Sequence, residues 1–212
     1  MSNVNGALPL RGQTFLSGNA NRTITSTMGA DKEGSTMIFD DIDPSSTTGA
    51  KTTRSNRPIT AMLVRNEAAA ALLAKFTVKW KSGQRGKQVD GYCCVTNEAC
   101  AGVVDEFLGS SGVAVHDLFW LVVKGPTLMK TPLEGDGTNV ISVDDILGAL
   151  TAATSGATTS GRAGVVALTA TSTGTTNGAL GNALFNSFGR AMSAKTTANT
   201  NADVLVDTFF MK

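Results

Sequence analysis

His116 is the single histidine of a 212-residue chain, and it stands directly before Asp117. An imidazole next to a carboxylate is where general-base chemistry would begin, because His titrates near neutrality and a carboxylate fixes its tautomer. Acid/base or nucleophilic catalysis needs further convergent groups, however, and no GxSxG elbow, HExxH pair or Cys/His spacing accompanies these two. His116 and Asp117 therefore read as a loop histidine and a turn-capping aspartate leading into the apolar run Leu118-Phe119-Trp120-Leu121-Val122-Val123. The three cysteines, Cys93, Cys94 and Cys100, form no CxxC pair and no even framework. Vicinal Cys93 and Cys94 on a strand would point to opposite faces, so the reading is of small buried or half-buried thiols made in a reducing cytoplasm.

Two oxygen-rich segments have the look of weak calcium loops: Asp40, Asp41 and Asp43, and Glu134, Asp136 and Asn139 around Gly135 and Gly137. Neither has the spacing of an EF-hand, and both read as solvated turns capped by their own carboxylates. The glycines are plentiful but match neither GxxxxGK[ST] nor a strand-following GxGxxG, so they are turn residues rather than a phosphate cradle. The one basic stretch, KFTVKWKSGQRGK, places Lys75, Lys79, Lys81, Arg85 and Lys87 around Trp80. Strand alternation sends Trp80 to the face opposite the lysines, which breaks the stacking platform of single-strand binders. A solvated outer face, or a rim that docks on an acidic protein surface, is expected instead of nucleic-acid binding. No catalytic, cofactor-binding or metal residue is expected, and the chain reads as a non-enzyme.

The elements that must carry these residues are strands. The chain is 17% charged and 6% aromatic, and is rich in Gly, Ala, Thr and Ser. Thr suits strands, and Thr/Ser/Gly/Asn clusters suit turns. With a formal charge of +1, no global field steers the protein to nucleic acid or acidic lipid. The longest apolar run is strand-sized, far below the roughly 20 residues of a membrane helix. The amino terminus offers no charged segment followed by an apolar core, so no membrane partner and no secretion signal are expected.

Residues 1–57 are dominated by Ser, Thr, Asn, Gly and Asp, with one apolar island at Met37-Ile38-Phe39. They read as an extended arm that gains order by lying on its own barrel or on a neighbouring subunit, and in the second case its removal should leave the core strands folded. Residues 58–212 read as the folded domain. Phe76, Val78 and Trp80 alternate with Lys75, Thr77, Lys79 and Lys81 as a half-buried strand, followed by strands near 89–95 and 102–107. Apolar on both faces, 118–124 is the centre of the core and closes at Gly125-Pro126. Residues 142–153 fit either a helix capped by Ser142 or a strand. Leu180, Leu184 and Phe188 also have helical spacing, and 188–194 and 203–210 form a hairpin around Asn199-Thr200-Asn201. The fold class is all-β: a compact β-barrel or sandwich with an extended N-terminal arm and at most one or two short helices.

Three segments, RNEAAAALLAKFTVKWKSGQRGKQVDGY from Arg65, AGVVDEFLGSSGVAVHDLFWLVVKGPT from Ala101 and FGRAMSAKTTANTNADVLVD from Phe188, resemble the head decoration (cement) proteins of tailed phages. The resemblance runs from about residue 58 onward and is one of texture and strand order, so no functional residue is carried over. It implies a β-barrel that binds the outer surface of a phage head, with the major capsid protein as partner and the virion as location. It also implies a homo-oligomer, a trimer in this family. Another virion component, a tail-tube or fibre-base protein, is the nearest alternative, and a hydrolase using His116 is a more distant one.

Overall fold

The protein was described from a computed structural model, over residues 14–15, 32–43, 53–93, 100–131, 141–149, 163–165, 187–195 and 203–210. It is all-β, with no helix among the described residues. Eleven strands among these residues lie in one sheet: β1 (Thr14–Phe15), β2 (Thr36–Ile42), β3 (Thr53–Asn66), β4 (Thr77–Trp80), β5 (Gln88–Tyr92), β6 (Cys100–Val104), β7 (Leu118–Lys130), β8 (Ile146–Ala149), β9 (Ala163–Val165), β10 (Ser187–Ala191) and β11 (Asp203–Phe209).

Part of that sheet closes on itself. β3 pairs β5 in parallel through Arg65↔Gln88 and Asn66↔Val89. β5 then pairs β4, β4 pairs β6, β6 pairs β7, and β7 returns to β3 from Arg65↔Leu118 to Thr60↔Lys124. The result is a five-stranded barrel, which removes sheet edges in the way only closure can. Alternation decides what fills it. Met62 and Val64 of β3 and Phe119, Leu121 and Val123 of β7 point inward to Val78, Val89 and Val104, with Leu72, Leu108 and Val113 in the same cluster.

The other parity of the same two strands faces outward and is buried just as fully. Ile59, Ala61 and Leu63 with Leu118, Trp120 and Val122 join Met129, Ile141, Leu147, Phe188, Ala191, Val204 and Val206 in a second apolar cluster. The latter group comes largely from the continuation of β7 and from β11, β10 and β8, which follow it in the sheet. β3 and β7 are therefore walls between two cores, which is why 118–123 is apolar at every position. At about 1.5–3 kcal/mol for each fully buried large side chain, this shared wall is the main source of stability.

β7 does not stop at Gly125-Pro126 as its sequence suggested. Its ladder with β3 shifts register between Thr60 and Ala61, and Gly125 adopts a φ of +100°. A Cβ there would stand 2.4 Å from the Pro58 carbonyl oxygen, so glycine is required. Beyond this bulge the inward parity flips, and β7 pairs β11 from Lys124↔Phe209 to Lys130↔Asp203, with Pro126 in the ladder opposite Asp207. The bulge joins the two cores into one fold.

Several other expectations are corrected. The boundary at 57/58 falls inside β3, and β2 from the expected arm is hydrogen-bonded to β3 through Thr36↔Met62 to Asp40↔Pro58. Phe39 is 2% exposed and packs edge-on against Trp120, with ring centroids 5.4 Å apart. The described part of the arm thus belongs to the chain's own core, and the core strands are not independent of it. Of 142–153, the described residues contain no helix: Asp144 takes a left-handed φ of +71° and β8 follows. Phe188 lies on a strand, β10, which pairs β11 antiparallel as the hairpin reading required; Asn199, Thr200 and Asn201, like Leu180 and Leu184, lie outside the described residues.

The thiol reading is also corrected, because Cys93 and Cys100 form a disulfide with a Cα–Cα separation of 5.6 Å. The end of β5 and the start of β6 both flank β4, since Cys93 N–H donates to Thr77 O and Cys100 opposes Lys79. The bridge spans the ends of two strands that flank a third, a tertiary relation that spacing does not encode. Cys94 lies outside the described residues.

Candidate functional site

His116 sits in the turn that enters β7, at a left-handed φ of +70°. Nδ1 lies 2.9 Å from Oε1 of Glu67, the residue that follows β3, and the other oxygen of Glu67 accepts from Lys81 Nζ at 3.2 Å. Burial alone pushes the Glu67 carboxyl up, but the hydrogen bonds and charges of His116 and Lys81 outweigh it and hold the group below its ordinary value. Asp117 is buried, and its carbonyl accepts from Asn66 N–H at 2.9 Å. Two residues before Glu67, the fully buried Arg65 pairs with Glu33 through Nε and donates from Nη1 to His116 O at 2.7 Å. Gln88 also donates to Glu33, at 3.2 Å. Strand β3 thus ends in a run, Arg65, Asn66 and Glu67, whose side chains all hold neighbouring loops. Asn66 Nδ2 donates to the carbonyls of Val113 and Ala114 at 3.0 and 3.1 Å.

A carboxylate-oriented imidazole, 40% exposed, is one half of a general-base arrangement. The same contacts fasten the β6–β7 loop across the end of the barrel. The sequence reading named His116 but missed Glu67, Arg65 and Glu33, because the contacts span 49, 51 and 32 positions.

At the other end of β3, Arg54 makes a bidentate contact with Glu106 at 3.1 and 2.9 Å and reaches Asp41 Oδ1 at 2.6 Å. Ser55 Oγ donates to the second Asp41 oxygen at 2.7 Å. Asp41 and Glu106 are buried, so this charge-assisted cluster locks β2 to the turn after β6. It also disposes of the first calcium reading. Asp40 and Asp41 lie on a strand rather than a turn, and alternation puts Asp40 in solvent and Asp41 on the guanidinium. Among the described residues no group of three or more His, Cys, Asp or Glu side chains is arranged to hold a metal. Glu134, Asp136 and Asn139 lie outside the described residues.

The basic stretch is likewise divided among partners. Lys75 precedes β4 at a φ of +71° and pairs with Asp203, which Lys130 also approaches at 2.7 Å. Burial raises the Asp203 carboxyl, and hydrogen bonds from Lys130 and Lys75 more than offset this, leaving it lowered. Lys81 is held by Glu67, and Lys79 and Arg85 have interactions of their own. Trp80 packs against the barrel core, and Phe76 lies 5.0 Å from the Tyr92 ring.

What remains open is a sheet face and an edge. Ile38, Thr60, Lys124 and Phe209 oppose one another in successive ladders and so form one transverse row on the face turned away from the second core, an outer face at this height of the sheet. Ile38 is 68% and Phe209 46% exposed. Among the described residues β2 is hydrogen-bonded to β3 alone, which makes it an edge strand. No family model and no curated protein sequence matches the chain.

Proposed function

We propose that this chain is a virion structural protein, a decoration protein that binds the outer surface of a phage head and bridges its capsid subunits. The observation that carries the reading is the closed barrel with a strand strapped to its outside. β2 is anchored by Phe39 inside the second core and by Asp41 in the Arg54–Glu106 cluster, yet it presents Ile38 and its outer edge to a neighbour. Shape and contact area, the means by which a cement protein works, are what such an element offers. The resemblance of the segments from Arg65, Ala101 and Phe188 adds the partner, the major capsid protein, and the expectation of a homo-oligomer, trimeric in the family. It also assigns the working protein to the virion, with no nucleic acid, membrane or cofactor in its task.

The test adds purified full-length chain to heads of the phage that encodes it, before and after expansion, and follows co-sedimentation and gold labelling. Saturable binding to heads, with raised resistance to osmotic rupture, is the expected result. Label confined to tails would replace this reading with that of a tail-tube or fibre-base protein. The His116–Glu67 contact favours one rival of another class, a hydrolase. Ester, glycoside or phosphoester turnover that disappears in His116→Ala would establish it and remove the structural reading.

A further inference from the structure

Among the described residues, nothing completes the pattern that β2 carries. Its odd residues Met37, Phe39 and Asp41 turn to the inner face, where Phe39 is fully packed and Met37 only partly so. Its even residues Thr36, Ile38 and Asp40 are all exposed. An exposed strand edge is ordinarily blunted by charges, proline, a bulge or a covering loop; in β2 such devices, Asp40, Asp41 and the irregularity between Asp40 and Ile42, stand at the C-terminal end and leave Thr36–Phe39 without one. None of β2's own residues is a lysine or a proline.

From this we infer that the outer edge of β2 pairs antiparallel with β2 of a second copy, about a two-fold axis through Ile38. The occupant follows from register. A two-fold axis normal to the sheet keeps each face continuous only if odd residues oppose odd and even oppose even, so the axis must pass through a residue. Centring on Phe39 sets Ile38 against Asp40 and Met37 against Asp41, an apolar side chain against a carboxylate in both pairs. Centring on Met37 sets Ser35 against Phe39. Centring on Ile38 satisfies both faces at once. Ile38 meets Ile38 of the second copy, the Thr36 hydroxyl meets the Asp40 carboxylate twice, and Met37 meets Phe39 twice on the inner face. No two carboxylates of the strand then stand opposite each other, and each Asp40 gains a hydroxyl donor. The transverse row Ile38–Thr60–Lys124–Phe209 becomes continuous across the axis, and the partly covered Met37 is closed over by the neighbour's inner face. This contact makes a second copy the neighbour to which the proposed decoration protein presents that edge, and its test requires no phage head.

The register sets the experiment. Full-length chain is examined by sedimentation equilibrium over a range of concentrations, with a dimer of twice the 21.8 kDa chain mass expected in place of the trimer that the resemblance implies. Ile38→Lys places two ammonium groups at the axis and Thr36→Asp sets carboxylate against carboxylate; each is expected to weaken the dimer at least tenfold, or about 1.4 kcal/mol. Thr36→Lys faces Asp40 and is expected to tighten it. Because these positions are exposed, circular dichroism remains that of the parent. In a Cys94→Ser background, Ile38→Cys gives a covalent dimer on mild oxidation. Asp40→Cys does so only when mixed with Thr36→Cys. A chain that stays monomeric, an oligomer of any size that Ile38→Lys leaves intact, or an Ile38→Cys variant that does not cross-link would each overturn the inference. Head binding by a protein that fails these tests leaves the decoration reading standing and removes only the two-fold contact.

Discussion

Replacing Cys93 and Cys100 together by alanine should lower stability by an amount the loop length sets. The bridge joins residues seven positions apart, so it closes a loop of about eight residues. In the chain-entropy treatment such a loop removes about 8 cal/mol/K from the unfolded ensemble, or about 2.5 kcal/mol at 25 °C. For a chain of this size that corresponds to a fall in Tm of about 5–10 °C. Cys93 is fully buried beside Thr77, so the cavity left by its sulfur adds to the loss rather than offsetting it. The assay is thermal unfolding by circular dichroism of the parent, the double alanine variant and Cys94→Ala, each with and without a strong reductant. Parent plus reductant should approach the double variant, which should itself be insensitive to reductant, and Cys94→Ala should match the parent. A double variant that melts with the parent would show that the two sulfurs are not bonded in the folded protein.

Two further outcomes follow from the packing and the ion pairs. Phe39→Ala empties a site in the second core against Trp120 and should cost about 3–5 kcal/mol; urea unfolding that shows a loss under about 1 kcal/mol would return 36–42 to the status of a dispensable arm. Glu67 and Asp203 both have carboxyls held below their ordinary values, 4.5 and 3.8, so their contribution is fully present above the unfolded values and is lost as pH falls through the lower folded ones. Denaturant midpoints should therefore decline on acidification below about pH 4.5, and Glu67→Gln should flatten the upper part of that decline, whereas a parallel curve would mean that Lys81 and His116 do not stabilise the ionised form.

What the sequence disclosed was whatever repeats locally. The two-faced apolar run 118–123 and the antiparallel pair at the C terminus were readable, because side-chain parity is a property of neighbours, whereas Thr77, expected on the solvent face with the lysines, is fully buried. Strand ends moved by a few residues, as with β4 beginning at Thr77 rather than Lys75. Relations made by closure were not readable. The Cys93–Cys100 bond requires β4 between its two neighbours, and the Glu67–His116 and Arg54–Glu106 contacts join segments 49 and 52 positions apart. Gly125-Pro126 read as a terminator because locally it is one. Only the approach of Pro58 shows that the glycine is there to let two strands cross closely while the ladder continues. The sequence leaves the arm open between its own barrel and a neighbouring subunit for a similar reason: a segment with three apolar residues cannot order itself, and nothing local tells whose core will receive Phe39.

β7 hydrogen-bonds to β1, β3, β6 and β11, more partners than its own two edges hold at any one height, and it manages this by being long enough to serve them in succession. During synthesis that makes it the latch of the whole assembly. Until Leu118–Val123 has left the ribosome, β3 and β6 have no strand to close against, and the inner faces of Met62, Val64 and Val104 stay wet. Once it has, the barrel can shut while the second layer still waits for β11, the last of the eleven described strands. For that interval the outward parity of β3 and β7, with Trp120 at its centre, is an uncovered apolar wall. The nascent protein is therefore most prone to aggregate after its first core has formed rather than before, and a chain truncated ahead of Asp203 should be soluble only in the company of a chaperone.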